Sequence, residues 1–338
     1  MIMYDNKIIL TGVKPTGTPH LGNYVGAIKP VLELAREHRA VIFIADMHAL
    51  NMISDANMVS KYSYEVAASF LALGLDTDKT IFFRQSDVPE VAQMSALLSN
   101  VTPKGLMNRA HSYKARVDIN REKGDDPDSG VNMGLYTYPI LMAADILLYG
   151  SDIVPVGKDQ KQHVEFARDI AGSFNHTYGA NMLKLPEPYI QEDAGLVPGL
   201  DGRKMSKSYD NYIPIFAPEA QLKKLVMRIV TDCKQPEETK DPDESSIFNL
   251  YRHFASEAEI ETLAQQFRQG GLGYGTAKQI LFDAINTKLK DAREKYEELI
   301  KNPEEIDAIL ARGAEKARAL ARPILNKVSH AMLGKDIA

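Results

Sequence analysis

Lys7-Ile8-Ile9-Leu10-Thr11 and Val41-Ile42-Phe43-Ile44-Ala45 are the two runs from which the fold can be read. Unbroken Val/Ile/Phe-rich stretches of this kind suit strands covered on both faces. Between them, residues 23–37 place Val25, Ile28, Val31, Leu32 and Ala35 at helical spacing. The alternation continues with a helical pattern over 58–73, a strand over 80–84 and a helix over 91–98. It resumes with a helix over 138–149, a strand over 153–156 and a helix over 159–174. Strands alternating with helices predict an α/β, doubly wound parallel sheet (Rossmann-like), with ligands beyond the carboxyl ends of the strands.

Farther along, the strand patterns stop. From about residue 217 the spacing is helical over 221–230, 246–254, 257–269, 276–301 and 303–332, with a Pro/Glu/Asp-rich loop at 235–244. The expected organisation is therefore an α/β domain over residues 1–215 and a C-terminal helical domain over 216–338. Residues 117–132, rich in Asp and Gly, read as a mobile surface loop.

Composition narrows the class. The chain has 338 residues, of which 44% are hydrophobic and 25% charged, enough apolar mass for a core and enough charge for solubility. No apolar run approaches a membrane span, and Met1-Ile2-Met3-Tyr4-Asp5 does not resemble a secretory signal, so a cytoplasmic protein without membrane contact is expected. The single cysteine, Cys233, excludes an internal disulfide and a Cys-rich metal site. A net charge of −5 argues against binding nucleic acid through the whole molecular field, while leaving room for a local basic patch.

Two segments carry chemistry. Lys14-Pro15-Thr16-Gly17-Thr18-Pro19-His20-Leu21-Gly22-Asn23 runs from the first strand into the first helix. Its glycines permit a tight turn and close backbone approach, and a helix start offers free amides and a positive dipole end to phosphate. His20 and Asn23, three residues apart, could face one phosphate group. The second segment is Gly202-Arg203-Lys204-Met205-Ser206-Lys207-Ser208. Its three cations and two hydroxyls suit a polyphosphate whose charge grows during reaction, and the spacing is not that of a Walker loop. A third pattern is a helical face: Tyr138, Met142 and Asp145 at i, i+4 and i+7. A carboxylate on an otherwise apolar helix is costly to bury without a donor, and Met142 beside it is soft and polarisable.

Taken together, His20-Leu21-Gly22-Asn23 and Lys204-Met205-Ser206-Lys207-Ser208 resemble the motif pair of the class I aminoacyl-tRNA synthetases. The first reads HLGN where that class commonly has HIGH; the second matches letter for letter. Gly22–Ala27, Ala45-Asp46-Met47-His48-Ala49, Tyr138–Tyr149, Val154–His163, Gly273-Tyr274-Gly275 and Gly313-Ala314-Glu315-Lys316-Ala317 extend the likeness over most of the chain. They are similar to the tryptophanyl branch; the related tyrosyl enzymes carry Gln where Met142 stands. Lys14 departs from the branch, many bacterial members having Gln there.

That resemblance implies ATP-dependent activation of L-tryptophan and its transfer to tRNA(Trp), with Mg2+ carried on the ATP and no metal site in the protein. It assigns catalytic roles to Lys204, Lys207, His20 and Asn23. ATP would meet Lys14, Pro15, Thr16, Gly22, Asn23, Gly157, Lys158, Asp159, Val197, Lys204, Met205, Ser206, Lys207 and Ser208. Tryptophan would meet Asp145, Met142, Tyr138, Gln160, His48, Val154 and Val156. Arg116 and its neighbours Arg109, His111 and Lys114 would reach toward the ATP phosphates. The helical region would recognise the anticodon, and the family implies a homodimer. Two rivals stand beside this expectation: the same chemistry on tyrosine, and a catalytically silent synthetase-like protein that binds tRNA or tryptophan.

Overall fold

The computed structural model describes residues 7–157, 161–190 and 197–338. Among these, five parallel strands form one sheet: β1 (Ile8–Val13), β2 (Arg39–Ile44), β3 (Ile81–Arg84), β4 (Ile153–Val156) and β5 (Glu187–Ile190), in the order β3-β2-β1-β4-β5. The continuous apolar runs follow from this burial. Ile42 and Ile44 face one core, together with residues of the first helices and of the C-terminal half. Val41 and Phe43 face a second core, with Phe83, Ile140 and Ile170. Because successive side chains alternate across a strand, covering both faces requires every position to be apolar. The sheet reverses its winding where β1 meets β4, and the crevice beyond their carboxyl ends is the expected ligand position.

β5 has no counterpart in the sequence expectations. It is an edge strand built around Pro188, mostly exposed, and proline with its missing N–H is tolerated at such an edge. The loop expected over 117–132 is also corrected. A helix runs His111–Lys123, burying Val117 and Asn120 three residues apart, and ends at Gly124 in the left-handed conformation. Only the acidic part beyond it is loop, and Asn120 pins it by donating to the carbonyls of Pro127 (2.9 Å) and Ser129 (2.8 Å). Too few apolar residues mark that helix for periodicity to reveal it.

Residues after 216 do not stand apart from the sheet. The helix Pro303–Leu333 returns to the edge strand β3, and Ala314, Ala317, Ala321 and Leu325 enter the second core. Gly313 makes the closest approach: a Cβ there would lie 1.7 Å from the Phe82 carbonyl oxygen. Arg318 and Arg322 donate to the buried Glu90, and Asp307 holds Arg84 and Tyr64. The helix thereby shields an edge that would otherwise expose unpaired backbone groups. Gly313→Ala should force helix and strand apart, costing about 1–3 kcal/mol or more, read as a lower denaturant midpoint. An unchanged midpoint would contradict this packing.

Candidate active site

A cavity of about 440 Å³ opens beyond β1 and β4. Val13 and Lys14 bound it at the end of β1, Val156 and Gly157 at the end of β4, and Tyr138, Met142 and Asp145 along the helix Met133–Leu148. The i, i+4, i+7 face thus points into one space. Gly12 has no room for a side chain: a Cβ would sit 2.4 Å from the Phe43 ring carbon Cζ. Gly26 and Ala27, unanticipated as lining residues, reach the cavity from a wide π turn over Tyr24–Ile28. Pro30 follows that turn and has no amide hydrogen to bond the carbonyl of Gly26, which favours the departure from α geometry there.

At the deep end lies Asp145, 1% exposed. His48 Nε2 is 3.0 Å from its Oδ2, and Gln85 Nε2 donates to Oδ1 at 3.0 Å and to Oδ2 at 2.8 Å. Burial pushes the Asp145 carboxyl above the usual range, while His48 and Gln85 hold it down. His48, which lines the cavity, is therefore oriented by a carboxylate from a distant helix. Gln85 was not legible in the sequence, since it belongs to a single turn after β3, Gln85–Asp87, with no motif around it. Tyr138 places its hydroxyl 3.4 Å from both Ser112 Oγ and His163 Nε2. Val154 and Val156 line the cavity as expected. Lys158, Asp159 and Gln160 lie outside the described residues.

The Lys14–Asn23 loop and the Lys204–Ser208 segment, far apart in sequence, meet. Leu21 donates its amide to the carbonyl of Ile213 (2.9 Å), Ile215 donates to that of Pro19 (3.1 Å), and Gly22 N donates to Met205 Sδ (3.3 Å). Lys207 lies across Gly17: its Nζ is 2.9 Å from where a Cβ would stand, and Gly17, at φ +127°, has neither the room nor the backbone for one. Burial lowers the Lys207 ammonium. Lys204 and Ser208 are exposed, Pro15 is buried and Thr16 half-buried. Val197 and Met205 pack into the first core and do not line the cavity.

Asn211, which carried no sequence signal, organises this loop. Its Oδ1 accepts from Ser206 N (2.8 Å), and its Nδ2 donates to Asp201 Oδ1 (2.6 Å) and to the carbonyl of Lys204 (3.1 Å). Arg203 is occupied elsewhere, bonded to Asp201 and 4.3 Å from the Tyr209 ring centroid.

His20 and Asn23 form a reciprocal helix cap. His20 Nδ1 accepts from Asn23 N (3.3 Å), and Asn23 Oδ1 accepts from His20 N (3.1 Å). Asn23 also lines the cavity and His20 does not, so the pair does not present two matched faces to one phosphate there. What the cap leaves for a ligand is the Asn23 amide donor and the second ring nitrogen of His20. Burial, aided by the charge of Lys207, lowers His20 to about 4. Unfolded histidine takes a proton near 6.5, so stability is fully present above that pH and lost as pH falls toward about 4. The loss should reach about 3 kcal/mol, and a His20→Asn variant should lack this component in denaturant titrations across pH 4–7.

Arg109, His111 and Lys114 line a separate hollow with Arg121 and Tyr113, outside the main cavity. Arg116 lies by the acidic loop, 3.9 Å from where a Gly130 Cβ would stand.

Known proteins resemble this chain over most of its length. The family model described as tRNA synthetases class I (W and Y) matches residues 5–290. The tryptophan–tRNA ligase of Pseudomonas aeruginosa is 51% identical over 328 residues, 96% of this chain and 73% of that protein. Among solved structures, the tryptophanyl-tRNA synthetase of Campylobacter jejuni complexed with ADP and tryptophan superimposes with a TM-score of 0.88 at 43% identity, covering 96% of this chain and 99% of that one. The Mycoplasma pneumoniae tryptophanyl-tRNA synthetase gives 0.76 at 28% identity, over 97% of each chain.

Proposed function

The chain belongs to the class I tRNA synthetases for tryptophan and tyrosine, it ligates tryptophan to tRNA(Trp) with ATP, and we propose that the cavity between β1 and β4 activates the amino acid. The observation that carries this reading is the buried Asp145 carboxylate at the end of a pocket walled by Met142, Val154 and Val156. It accepts the indole N–H. Phenylalanine would leave the acceptor position facing the pocket unfilled, and tyrosine would set a hydroxyl against an apolar wall.

In the activation step the substrate α-carboxylate attacks the α-phosphorus of ATP, the bond to the β-phosphate oxygen breaks, and pyrophosphate leaves. A terminal ribose hydroxyl of tRNA then attacks the carbonyl of the adenylate, and AMP leaves with the tRNA aminoacylated. Neither step needs a covalent bond to the protein, so catalysis is positioning plus stabilisation of phosphoryl charge. Lys14, Pro15, Thr16, Gly22 and Asn23 flank the phosphates from β1. Lys204 and Lys207 neutralise the leaving pyrophosphate, with Met205, Ser206 and Ser208 shaping their loop and Val197 supporting it from the core. Gly157, Lys158 and Asp159 receive adenine and ribose, while Tyr138, Gln160 and His48 hold the α-amino and carboxylate end. Magnesium would arrive on ATP oxygens; among the described residues no group of three or more His, Cys, Asp or Glu is placed to hold a metal.

The helical region over 216–338 recognises the anticodon. Its shared core with the first helices supports mechanical coupling of that region to the site. A homodimer is favoured by the exposed Leu50 (62%), Met52 (73%) and Met133 (68%) flanking the contact of Asn51 with Gly134, and sedimentation equilibrium checks it. Among the described residues no helix is long and apolar enough to cross a membrane, and a cytoplasmic location fits the tRNA substrate.

The deciding experiment is amino-acid-dependent ATP–pyrophosphate exchange without tRNA. Exchange with tryptophan and not with tyrosine or phenylalanine supports the assignment of the pocket. Exchange with tyrosine overturns it, and folded protein inactive with every amino acid points to a silent binding protein.

A further inference from the structure

Asp145 has four lone-pair positions, and the protein uses them unequally. Oδ2 meets both His48 Nε2 (3.0 Å) and Gln85 Nε2 (2.8 Å), while Oδ1 meets only the longer arm of the Gln85 contact (3.0 Å). His48 alone would leave the carboxylate free to turn about its last bond, a torsion with broad minima. Gln85 touches both oxygens at once and removes that freedom. The amide orientation follows from electrostatics: turned over, its oxygen would face a carboxylate. Gln85 is 0% exposed, and its own Oε1 has no partner among the described residues, so the side chain is buried at the expense of half its hydrogen-bonding capacity. A buried amide kept under that penalty is well explained if its donor is the half that matters.

We propose that Gln85 is a positioning residue for amino-acid selection: its amide clamps Asp145 so that one Oδ1 lone pair stays aimed at the indole N–H. This rests on the reading of Asp145 as the indole acceptor. Gln85 touches no substrate. It acts by keeping the acceptor from following a ligand that lacks the donor.

The test compares tryptophan with its benzothiophene isostere, in which sulfur replaces N–H, by ATP–pyrophosphate exchange. Gln85→Met keeps length and approximate volume and removes the donor. The preference for tryptophan over the isostere should fall about tenfold, through a higher KM for tryptophan, with the isostere much less affected. Equal losses on both substrates, with the preference intact, would assign Gln85 a purely structural role and overturn the inference. Should Gln85→Met fail to fold by circular dichroism, Gln85→Asn keeps an amide too short to span both oxygens, and the same drop in preference is expected of it. If the parent protein itself shows no preference for tryptophan over the isostere, it is the reading of Asp145 that falls, a result distinct from failure of the clamp.

Discussion

Lys207→Ala should slow tryptophan-dependent ATP–pyrophosphate exchange by about 10²- to 10³-fold in kcat, the scale of losing one preorganised donor to developing oxyanion charge. The expectation follows from where the side chain lies. Lys207 crosses Gly17 at the turn of the Lys14–Asn23 loop, half-buried, close enough for its charge to depress His20. A cation held there by protein is already oriented when pyrophosphate departs, so little reorganisation remains for the transition state. Tryptophan affinity measured by calorimetry without ATP should be unchanged, because Lys207 does not line the amino-acid cavity. Lys207→Arg keeps the charge but brings a planar fork into the space over Gly17, and should recover activity only in part. Full exchange activity in the alanine variant would remove Lys207 from the leaving-group role.

Asp145→Asn should lower kcat/KM for tryptophan by about 10- to 150-fold, corresponding to loss of one hydrogen bond to a charged group worth about 1.5–3 kcal/mol. The substitution preserves shape but not polarity. An asparagine amide has one oxygen, whereas His48 and Gln85 both approach the carboxylate as donors. One of them must then face an NH2 group, and the indole N–H competes for what remains. The loss should appear mainly in KM and be smaller for the benzothiophene isostere, which never used the acceptor. Equal losses for the two substrates would show that Asp145 shapes the pocket without reading the indole. Stability should fall as well, since a buried donor is left without an acceptor, and thermal unfolding separates that effect from selectivity.

How much of this was legible in the chain can be judged from particular residues. Val41–Ala45 and Ile81–Arg84 announced buried parallel strands because covering both faces demands apolar residues at consecutive positions. Tyr138, Met142 and Asp145 announced one wall of the pocket because a helix places i, i+4 and i+7 on one face whatever surrounds it. The His20–Asn23 and Lys204–Ser208 segments were recognisable as written, each being continuous in sequence. Those features are local: periodicity, residue chemistry and short spacing suffice to define them.

The remainder depends on neighbours that only folding supplies. Gln85 and His48 reach Asp145 from the ends of different strands; the resemblance set His48 and Asp145 around one substrate, but nothing in the chain marked their hydrogen bond, or Gln85 at all. Asn211 organises the lysine loop through contacts that exist only once residues 201–206 have turned back on it. Gly313 could be read as a helical residue, but not as the point where the last helix shields the β3 edge of the sheet. Sequence by itself therefore determined the layer architecture, the two loop segments proposed to handle phosphate and one face of the cavity. Tertiary structure decided which donors orient the buried Asp145 carboxylate, which cation overlies the Gly17 turn and how the helical half is locked to the sheet. The physical reason is range: backbone periodicity acts over a few residues, whereas hydrogen-bond geometry and close packing are set by groups that the chain brings together from far apart.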